Sequence, residues 1–243
     1  MTTDTVDPTV CPAPVRRPVM TQEWRDLASV HFPYPPDVVA RVLPPGLEVD
    51  TFADRAWVGI LPFSMRRIAA PGLPPVPWLG SFAEVNVRTY VVRDGVPGVW
   101  FCSLDVDRLL PAVVARLTYR IPYCWGRTTH VRTGDRLETR VDRRWPGGDA
   151  ARARLEVRMG APLSEPSDLD VVLSARWGLF STAPRHRLRY APVDHPPWPL
   201  RAATLERCDE TLIRAAGFPD PTGEPHVLAS DGVPVRIGLP RRA

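Results

Sequence analysis

The chain has 243 residues, of which 44% are hydrophobic, and its formal net charge is +4. This length suits one large β-rich domain or two small ones. No apolar run approaches the ~20 residues that a membrane-spanning helix needs, which argues against a membrane protein. The 31 basic residues are scattered among 27 acidic ones. Because a nucleic-acid interface concentrates its basic side chains, this pattern also argues against a nucleic-acid partner.

The first 19 residues are polar and rich in proline, without the apolar stretch of a secretory signal. Such a composition buries too little apolar surface to offset the entropy of ordering, so residues 1–19 are predicted to form a disordered, dispensable tail. Residues 20–243 show no repeat and no change in composition, which predicts a single domain. The four cysteines lack CxxC spacing and disulfide-framework density, which indicates a cytoplasmic protein.

The predicted elements begin with a helix near Thr21, because Trp24, Leu27 and Ala28 recur at helical spacing. A second short helix is predicted over residues 37–43. The pattern then favours strands over residues 56–61, 84–92, 98–106, 123–131, 136–145, 152–159, 187–193 and 200–206, with hairpin turns at Asp94–Gly95 and Gly147–Gly148. Further helices are predicted over residues 107–117, 167–175 and 207–216. This order indicates an α+β domain with a large, mostly antiparallel sheet.

Sequence motifs exclude several familiar classes of site. The chain has no GxSxG, P-loop or GxGxxG motif, so nothing supports a serine hydrolase or a nucleotide-binding protein. The five histidines show no metal-ligand spacing, and neither a metal nor another cofactor is predicted. His195 lies in a proline-rich turn near Trp198, where a role in ordering the turn is favoured over a catalytic role.

Segments between residues 20 and 235 resemble the YqjF-like family of uncharacterised bacterial proteins. The segments are Met20–Trp24, Leu43–Leu47, Asp50–Phe52, Ala56–Phe63, Phe82–Tyr90, Gly95–Val99, Ser103–Asp105, Arg120–Tyr123, Leu173–Trp177 and His195–Trp198. That family is similar to the acetoacetate decarboxylases, whose curved sheet closes into a cone-like barrel around an internal pocket. The resemblance implies such a barrel here, with a few flanking helices and a pocket for a small molecule.

The resemblance does not extend to the best-known chemistry of the decarboxylases. Those enzymes use a lysine that forms a Schiff base with the ketone substrate, and this chain contains no lysine. Arginine cannot replace it, because the guanidinium stays protonated and is a poor nucleophile. The stretch most similar to the lysine motif, Arg120–Tyr123, places a tyrosine at the lysine position. A Schiff-base mechanism is therefore not expected.

The strongest candidates for a site lie on one predicted strand. Glu84, Asn86 and Arg88 alternate with apolar residues, so the three polar side chains share one face of a sheet. Spacing alone is typical of a solvent-facing strand with an ion pair, whereas the resemblance implies a trio that faces the pocket. There Arg88 would clamp a carboxylate, and Glu84 would pair with Arg88 and act as general acid or base.

Tyr123 is the third catalytic candidate, because a phenol can donate a hydrogen bond to an oxyanion or take part in proton transfer. The alternative is a structural tyrosine with a satisfied hydroxyl. The expected substrate-binding residues are Asn86, Arg120, Arg176, Trp57 and Phe63. For Arg120 an outward-facing position on the strand is slightly favoured over a role as ligand clamp, and Arg176 would enter the pocket from a lid-like segment.

Three functions stay open at this level. The first is a cofactor-independent enzyme, of lyase, isomerase or cyclase type, that acts on a small keto, enol or carboxylate compound. The second is a non-catalytic binding or sensing protein with a small-molecule ligand in the same pocket. The third is a structural or partner-binding barrel, and the chain is also compatible with a homo-oligomer. A cavity that holds Glu84 and Arg88 would favour the first two.

Overall fold

The structure is a computed structural model that describes residues 7–76, 80–146, 151–184 and 187–243. The described residues form thirteen strands and four helices. The strands are β1 (Met20–Tyr34), β2 (Glu48–Val49), β3 (Ala56–Ala69), β4 (Phe82–Arg93), β5 (Val96–Val106), β6 (Tyr123–Thr133), β7 (Arg136–Trp145), β8 (Arg152–Pro162), β9 (Gly178–Ala183), β10 (Arg187–Asp194), β11 (Leu200–Glu210), β12 (His226–Ile237) and β13 (Arg241–Arg242). The helices are α1 (Pro36–Ala40), α2 (Leu109–Thr118), α3 (Asp168–Ser174) and α4 (Leu212–Ala215).

All of these strands belong to one sheet, in the order β13-β10-β9-β5-β6-β7-β8-β11-β12-β1-β3-β4-β2. Two further pairings, β4 with β5 and β10 with β12, join strands that are far apart in this order, so the sheet curves back on itself. Among the described strands, β5 pairs in parallel with β6 and β9, and the other pairs are antiparallel. The predicted α+β architecture with a large, mostly antiparallel sheet is confirmed.

Strand β4 lies between two apolar cores. Val85 and Val87 pack into the first core, together with side chains of β7 and β8. Phe82 packs into the second core, beside Leu104 and Tyr123. Because side chains alternate along a strand, Glu84 and Asn86 must face the second core if Val85 and Val87 face the first. Burial on both faces thus places two polar side chains inside the protein.

The helix predicted near Thr21 is wrong, since residues Met20–Tyr34 form β1. The pairing of β1 with β3 shifts register between Arg25 and Val30, and Asp26 has a φ of 55°. This bulge puts Trp24 and Leu27, three residues apart, into the same core. Because of this bulge, the buried residues of the strand have the same spacing in the sequence as the apolar face of a helix.

A glycine on the neighbouring strand accommodates the bulge. Gly232 of β12 pairs with Arg25 and has a φ of +113°. A Cβ at this position would lie 2.0 Å from the carbonyl oxygen of Trp24, so only glycine fits. Strand β12 itself is not predicted by the sequence pattern.

Other predicted elements agree with the structure to different degrees. The hairpin around Asp94–Gly95 is confirmed as β4–β5, with both turn residues at positive φ. The helix predicted over residues 207–216 is wrong in its first half, because β11 continues to Glu210 and only Leu212–Ala215 are helical. The predicted turn at Gly147–Gly148 lies outside the described residues.

Residues 1–6 of the predicted tail lie outside the described residues, whereas residues 7–19 contact the domain. Cys11 and Val15 are each only 7% exposed. The Val15 amide donates a hydrogen bond to the Asp194 carboxylate at 3.1 Å, and the Val19 amide donates to the Ile237 carbonyl at 2.8 Å. Hydrogen bonds from its backbone amides therefore attach this segment to the domain. Its amino-acid composition gives no sign of these bonds.

We expect this segment to contribute to stability. Val15→Ala should lower the free energy of unfolding by about 1–2 kcal/mol, because it removes buried apolar surface. The matched variant Val10→Ala, at a side chain that is 48% exposed, should change it by less than about 0.5 kcal/mol. Urea unfolding measures both. Equal values for the two variants and the wild type would show that the segment is not packed in solution.

Candidate functional site

A cavity of about 310 Å³ lies within the second core, on the side of β4 that carries Glu84. Its walls are mostly apolar and come from strands β1, β3, β4, β5, β6, β9, β10 and β12, together with α2, the end of α3 and the residues after it. The ionisable groups that line it are Glu84, Arg88, Tyr119, Tyr123, Arg176 and His195. A mostly apolar cavity with a few convergent polar groups is typical of a small-molecule site.

Glu84 and Tyr123 form a buried acid–phenol pair. Glu84 is 2% exposed, and the Tyr123 hydroxyl donates a hydrogen bond to its Oε2 at 2.8 Å. Burial raises the pKa of Glu84 to about 7, an effect that hydrogen bonds from Tyr123 and Asn86 partly offset and the nearby Asp105 charge increases. Both protonation states are then populated near neutral pH, as general acid–base catalysis requires.

Tyr123 stays protonated under these conditions. Burial raises its pKa well above the ordinary value, and the charge of Glu84 adds to this effect. Its hydroxyl is therefore a permanent hydrogen-bond donor in the cavity.

Arg88 is held by neutral oxygens. Its Nη2 donates to the Leu173 carbonyl at 3.0 Å and to the Tyr90 hydroxyl at 3.1 Å, and its Nε lies 3.3 Å from the same hydroxyl. Leu173 belongs to the last turn of α3, whose carbonyls lack partners within the helix. Among the ion pairs of the described residues, none involves Arg88. Its positive charge is thus not neutralised by a carboxylate.

Arg176 also lies against the Tyr90 ring, but its charge is neutralised. Its Nε donates to the Val172 carbonyl at 2.6 Å, and its Nη1 lies 2.5 Å from the Asp50 carboxylate. The guanidinium carbons of Arg88 and Arg176 lie 5.4 and 5.0 Å from the centre of the Tyr90 ring. Of the two cavity arginines, Arg88 therefore has the charge that a ligand can use.

The Tyr90 hydroxyl is itself fixed by a buried histidine. Tyr90 donates to the Leu173 carbonyl at 2.8 Å, so its oxygen accepts from Nε2 of His31, which is 2.6 Å away. Nδ1 of His31 then accepts from the Ser29 hydroxyl at 3.0 Å. Burial, and next the charge of Arg88, lower the pKa of His31 well below its ordinary value. A neutral histidine thus orients the tyrosine that orients Arg88.

Helix α3 is anchored at its other end. The Ser167 side chain accepts from the Asp170 amide, and the Asp170 carboxylate accepts from the Ser167 amide, which is a capping box. Nε2 of His226 lies 2.6 Å from the second oxygen of Asp170. These contacts fix the helix whose final carbonyls hold Arg88.

The predicted ion pair between Glu84 and Arg88 is wrong. Residues four positions apart are neighbours on a helix, but on a strand they are separated by about 13 Å. Both side chains do line the same cavity, as a pocket-facing trio requires. Asn86 is 3% exposed and lines a smaller adjoining cavity of about 40 Å³, together with Phe63.

Two of the expected substrate-binding residues lie elsewhere. Arg120 is exposed, has a φ of 58° and lines an outer groove with Arg116, on the far side of Phe101 and Ile121. Trp57 packs beside Tyr90 and Leu173, with its ring 6.3 Å from that of His226. The structure therefore does not bring either side chain to the cavity.

The sequence did not predict a place in the cavity for His195, Trp24 or Trp198, yet all three line it. His195 is 5% exposed, with Nδ1 2.8 Å from the Pro196 carbonyl, and burial lowers its pKa. Its ring lies 5.4 Å from that of Trp198 and 6.4 Å from that of Trp24. The nearness of His195 to Trp198 in the sequence could have indicated that both belong to the site. For Trp24 no such indication existed, because the bulge in β1 gives its strand the spacing of a helix.

Within the described ranges, no group of three or more His, Cys, Asp and Glu side chains could hold a metal ion. Nor is any described helix long and apolar enough to span a membrane.

Comparison with known proteins identifies the family. A model of the DUF2071 family, described as an uncharacterised conserved protein, matches residues 21–234. The chain belongs to this family. The uncharacterised protein YqjF of Bacillus subtilis (strain 168) is 33% identical over 208 residues, which cover 85% of each chain. The resemblance to YqjF-like proteins is therefore confirmed.

Solved structures of several enzymes share the fold of this DUF2071 protein. The enduracididine biosynthesis enzyme MppR, in complex with pyruvate, has a TM-score of 0.67 at 16% identity, over 95% of this chain and 92% of that chain. An acetoacetate decarboxylase-like enzyme from Sphingomonas wittichii RW1 has a TM-score of 0.64 at 15% identity, over 96% of each chain. Acetoacetate decarboxylase from Legionella pneumophila has a TM-score of 0.60 at 16% identity, over 96% and 92%. The predicted acetoacetate decarboxylase-like fold is confirmed.

We expect Glu84 to make stability depend on pH. In the folded protein it holds its proton up to about pH 7, whereas the unfolded carboxyl ionises near its ordinary value of 4.5. Between these values the unfolded state binds fewer protons, so stability falls as the pH rises, by about 3 kcal/mol in total. Glu84→Gln cannot ionise and should lack this decrease. Urea unfolding between pH 4.5 and 7.5 measures the difference.

Tyr123→Phe provides the matched control. It removes a hydrogen bond that stabilises the ionised form of Glu84, so the pH range of the decrease should extend upward. Parallel pH profiles for the wild type and Glu84→Gln would contradict the raised pKa.

Energetic coupling between Glu84 and Arg88 should be small. Their separation along the strand predicts additive effects, with a coupling energy below about 0.5 kcal/mol. A double-mutant cycle with Glu84→Gln and Arg88→Met, measured by urea unfolding, tests this expectation. A coupling above about 1.5 kcal/mol would indicate that the two side chains form the ion pair after all.

Proposed function

We propose that this protein is a cofactor-independent enzyme that binds a small keto or enol carboxylate and moves a proton next to its carbonyl group. One observation carries the proposal. The cavity contains a carboxyl group with a pKa of about 7 and a guanidinium with no acidic partner among the described residues. The first is suited to acid–base chemistry, and the second is suited to an anionic ligand.

Arg88 binds the carboxylate of the substrate. Its Nε and Nη2 contact Tyr90 and Leu173, while no bond of Nη1 is seen among the described residues. A substrate carboxylate supplies the negative charge that these neutral oxygens do not provide, and a charge-assisted hydrogen bond fixes its orientation. Pyruvate, the ligand of the structurally similar MppR complex, belongs to this chemical class.

Glu84 and Tyr123 carry out the proton transfer. Ionised Glu84 removes a proton from the carbon beside the carbonyl group, and the electron pair of the broken C–H bond forms an enolate. Once Glu84 is protonated, it no longer needs the Tyr123 hydroxyl, which can then donate to the enolate oxygen. Return of the proton from Glu84 to carbon completes an enolisation cycle in which no lysine takes part.

A non-catalytic binding protein is the second candidate. It is favoured by the 2.8 Å bond from Tyr123, which occupies the carboxylate of Glu84 in the resting state. Arg88 would suffice to bind a carboxylate in such a protein. A barrel filled by its own side chains fits poorly with a cavity of about 310 Å³.

Exchange of substrate hydrogen with solvent deuterium tests the proposal. The protein should accelerate the loss of the C3 protons of 2-oxobutanoate in D₂O, observed by proton NMR. Glu84→Gln should slow this exchange by about 10²-fold or more. Arg88→Met should weaken binding, while the matched variant Arg120→Met, outside the cavity, should behave as the wild type.

The outcomes separate the candidates. Binding that depends on Arg88 without accelerated exchange would identify a binding protein, and the absence of both would contradict the proposal. Borohydride added during turnover should leave the protein mass unchanged, apart from reaction at the terminal amine. A reduced adduct at an internal residue would overturn the mechanism without a Schiff base.

A further inference from the structure

The cavity extends well beyond the group that binds the carboxylate. Gly80, Phe82, Glu84 and Arg88 line it in chain order, and the eight residue steps from Gly80 to Arg88 span about 26 Å if fully extended. Arg88 lies at the end next to α3, whereas Gly80 lies at the opposite end. Its volume of about 310 Å³ is roughly ten times that of one water molecule. A three-carbon keto acid at Arg88 would leave much of this space empty.

The end of the cavity opposite Arg88 has apolar side chains on three separate strands, and the uncharged polar side chain of Gln22 lies beside them. Met20 of β1, Ile68 of β3 and Ile237 of β12 line it. Met20 pairs directly with Ile237, and the adjacent residue Thr21 pairs with Ala69, so the three side chains lie close together. The polar groups beside Arg88, by contrast, include Ser174 and Arg176 at the end of α3. The cavity therefore changes from charged to uncharged and mostly apolar along its length.

The apolar end reaches solvent beside α2 and residues 70–76, which follow β3. Leu110 of α2 and Val76 line the cavity, although their side chains are 55% and 46% exposed. Leu73, Leu109, Val113 and Leu117, on the same two segments, are also exposed. We use the term apolar rim for these six residues. Exposed apolar groups next to a cavity are typical of a site that receives an apolar ligand.

We infer that the substrate is an amphipathic keto carboxylate with an apolar tail, which extends from Arg88 past Glu84 to the apolar rim. The inference rests on the proposed function for the position of the carboxylate. The tail lies against Met20, Ile68 and Ile237 and places the carbons next to the carbonyl group near Glu84. Each methylene that leaves water for this wall should tighten binding about fourfold.

A chain-length series tests the inference. Calorimetry with straight-chain 2-oxo acids from pyruvate to 2-oxotetradecanoate should show affinity rising by up to about fourfold per methylene. Leu110→Asp and Val76→Asp, at exposed positions where folding should be preserved, should weaken binding of 2-oxotetradecanoate, whose tail is long enough to reach the rim, at least tenfold and leave pyruvate unaffected. Val131→Asp is the matched control, because Val131 is 56% exposed on β6 and does not line the cavity.

Failure of this inference can be told apart from failure of the proposed function. Equal affinity along the series, with binding still lost in Arg88→Met, overturns the apolar tail and leaves the carboxylate site in place. Affinity that rises with chain length but does not depend on Arg88 overturns the carboxylate site. If the rim variants change only the oligomeric state, and 2-oxotetradecanoate binds them as it binds the wild type, the rim contacts a second copy and the inference is wrong.

Discussion

The position of Arg88 depends on oxygens that carry no full charge. A guanidinium buried without compensation is costly, and Arg176 meets this cost with the Asp50 carboxylate. Arg88 instead contacts the Tyr90 hydroxyl and the Leu173 carbonyl. Because these oxygens carry only partial negative charges, the mostly apolar cavity keeps a net positive charge. A carboxylate ligand would complete the compensation.

Much of the surrounding structure serves to hold these two oxygens in place. His31 of β1 fixes the Tyr90 hydroxyl, and it does so as a neutral ring because burial lowers its pKa. The capping box of Ser167 and Asp170, with His226 of β12, fixes α3 and so the Leu173 carbonyl. Two histidines on paired strands, His31 and His226, therefore help to position Arg88, although neither lines the cavity.

The sequence predicted the part of the site that regular geometry determines. The alternation of Glu84, Asn86 and Arg88 with apolar residues, joined to the Asp94–Gly95 turn, was sufficient to predict β4, β5 and a shared face. It could not predict β1, because the bulge at Asp26 brings Trp24 and Leu27 into one core at an odd spacing. The partners of Arg88 were also missed, since Leu173 is 85 residues away in the sequence and contributes only a backbone carbonyl. Contacts of this kind depend on how the curved sheet positions α3. A local sequence pattern does not contain that information.

A structure determined with a bound 2-oxo acid tests the central claim most directly. The account predicts the ligand carboxylate within about 3 Å of the Arg88 guanidinium, with the carbons next to its carbonyl group facing Glu84. A ligand carboxylate bound instead by Arg116 and Arg120 in the outer groove, with the inner cavity unoccupied, would contradict the account.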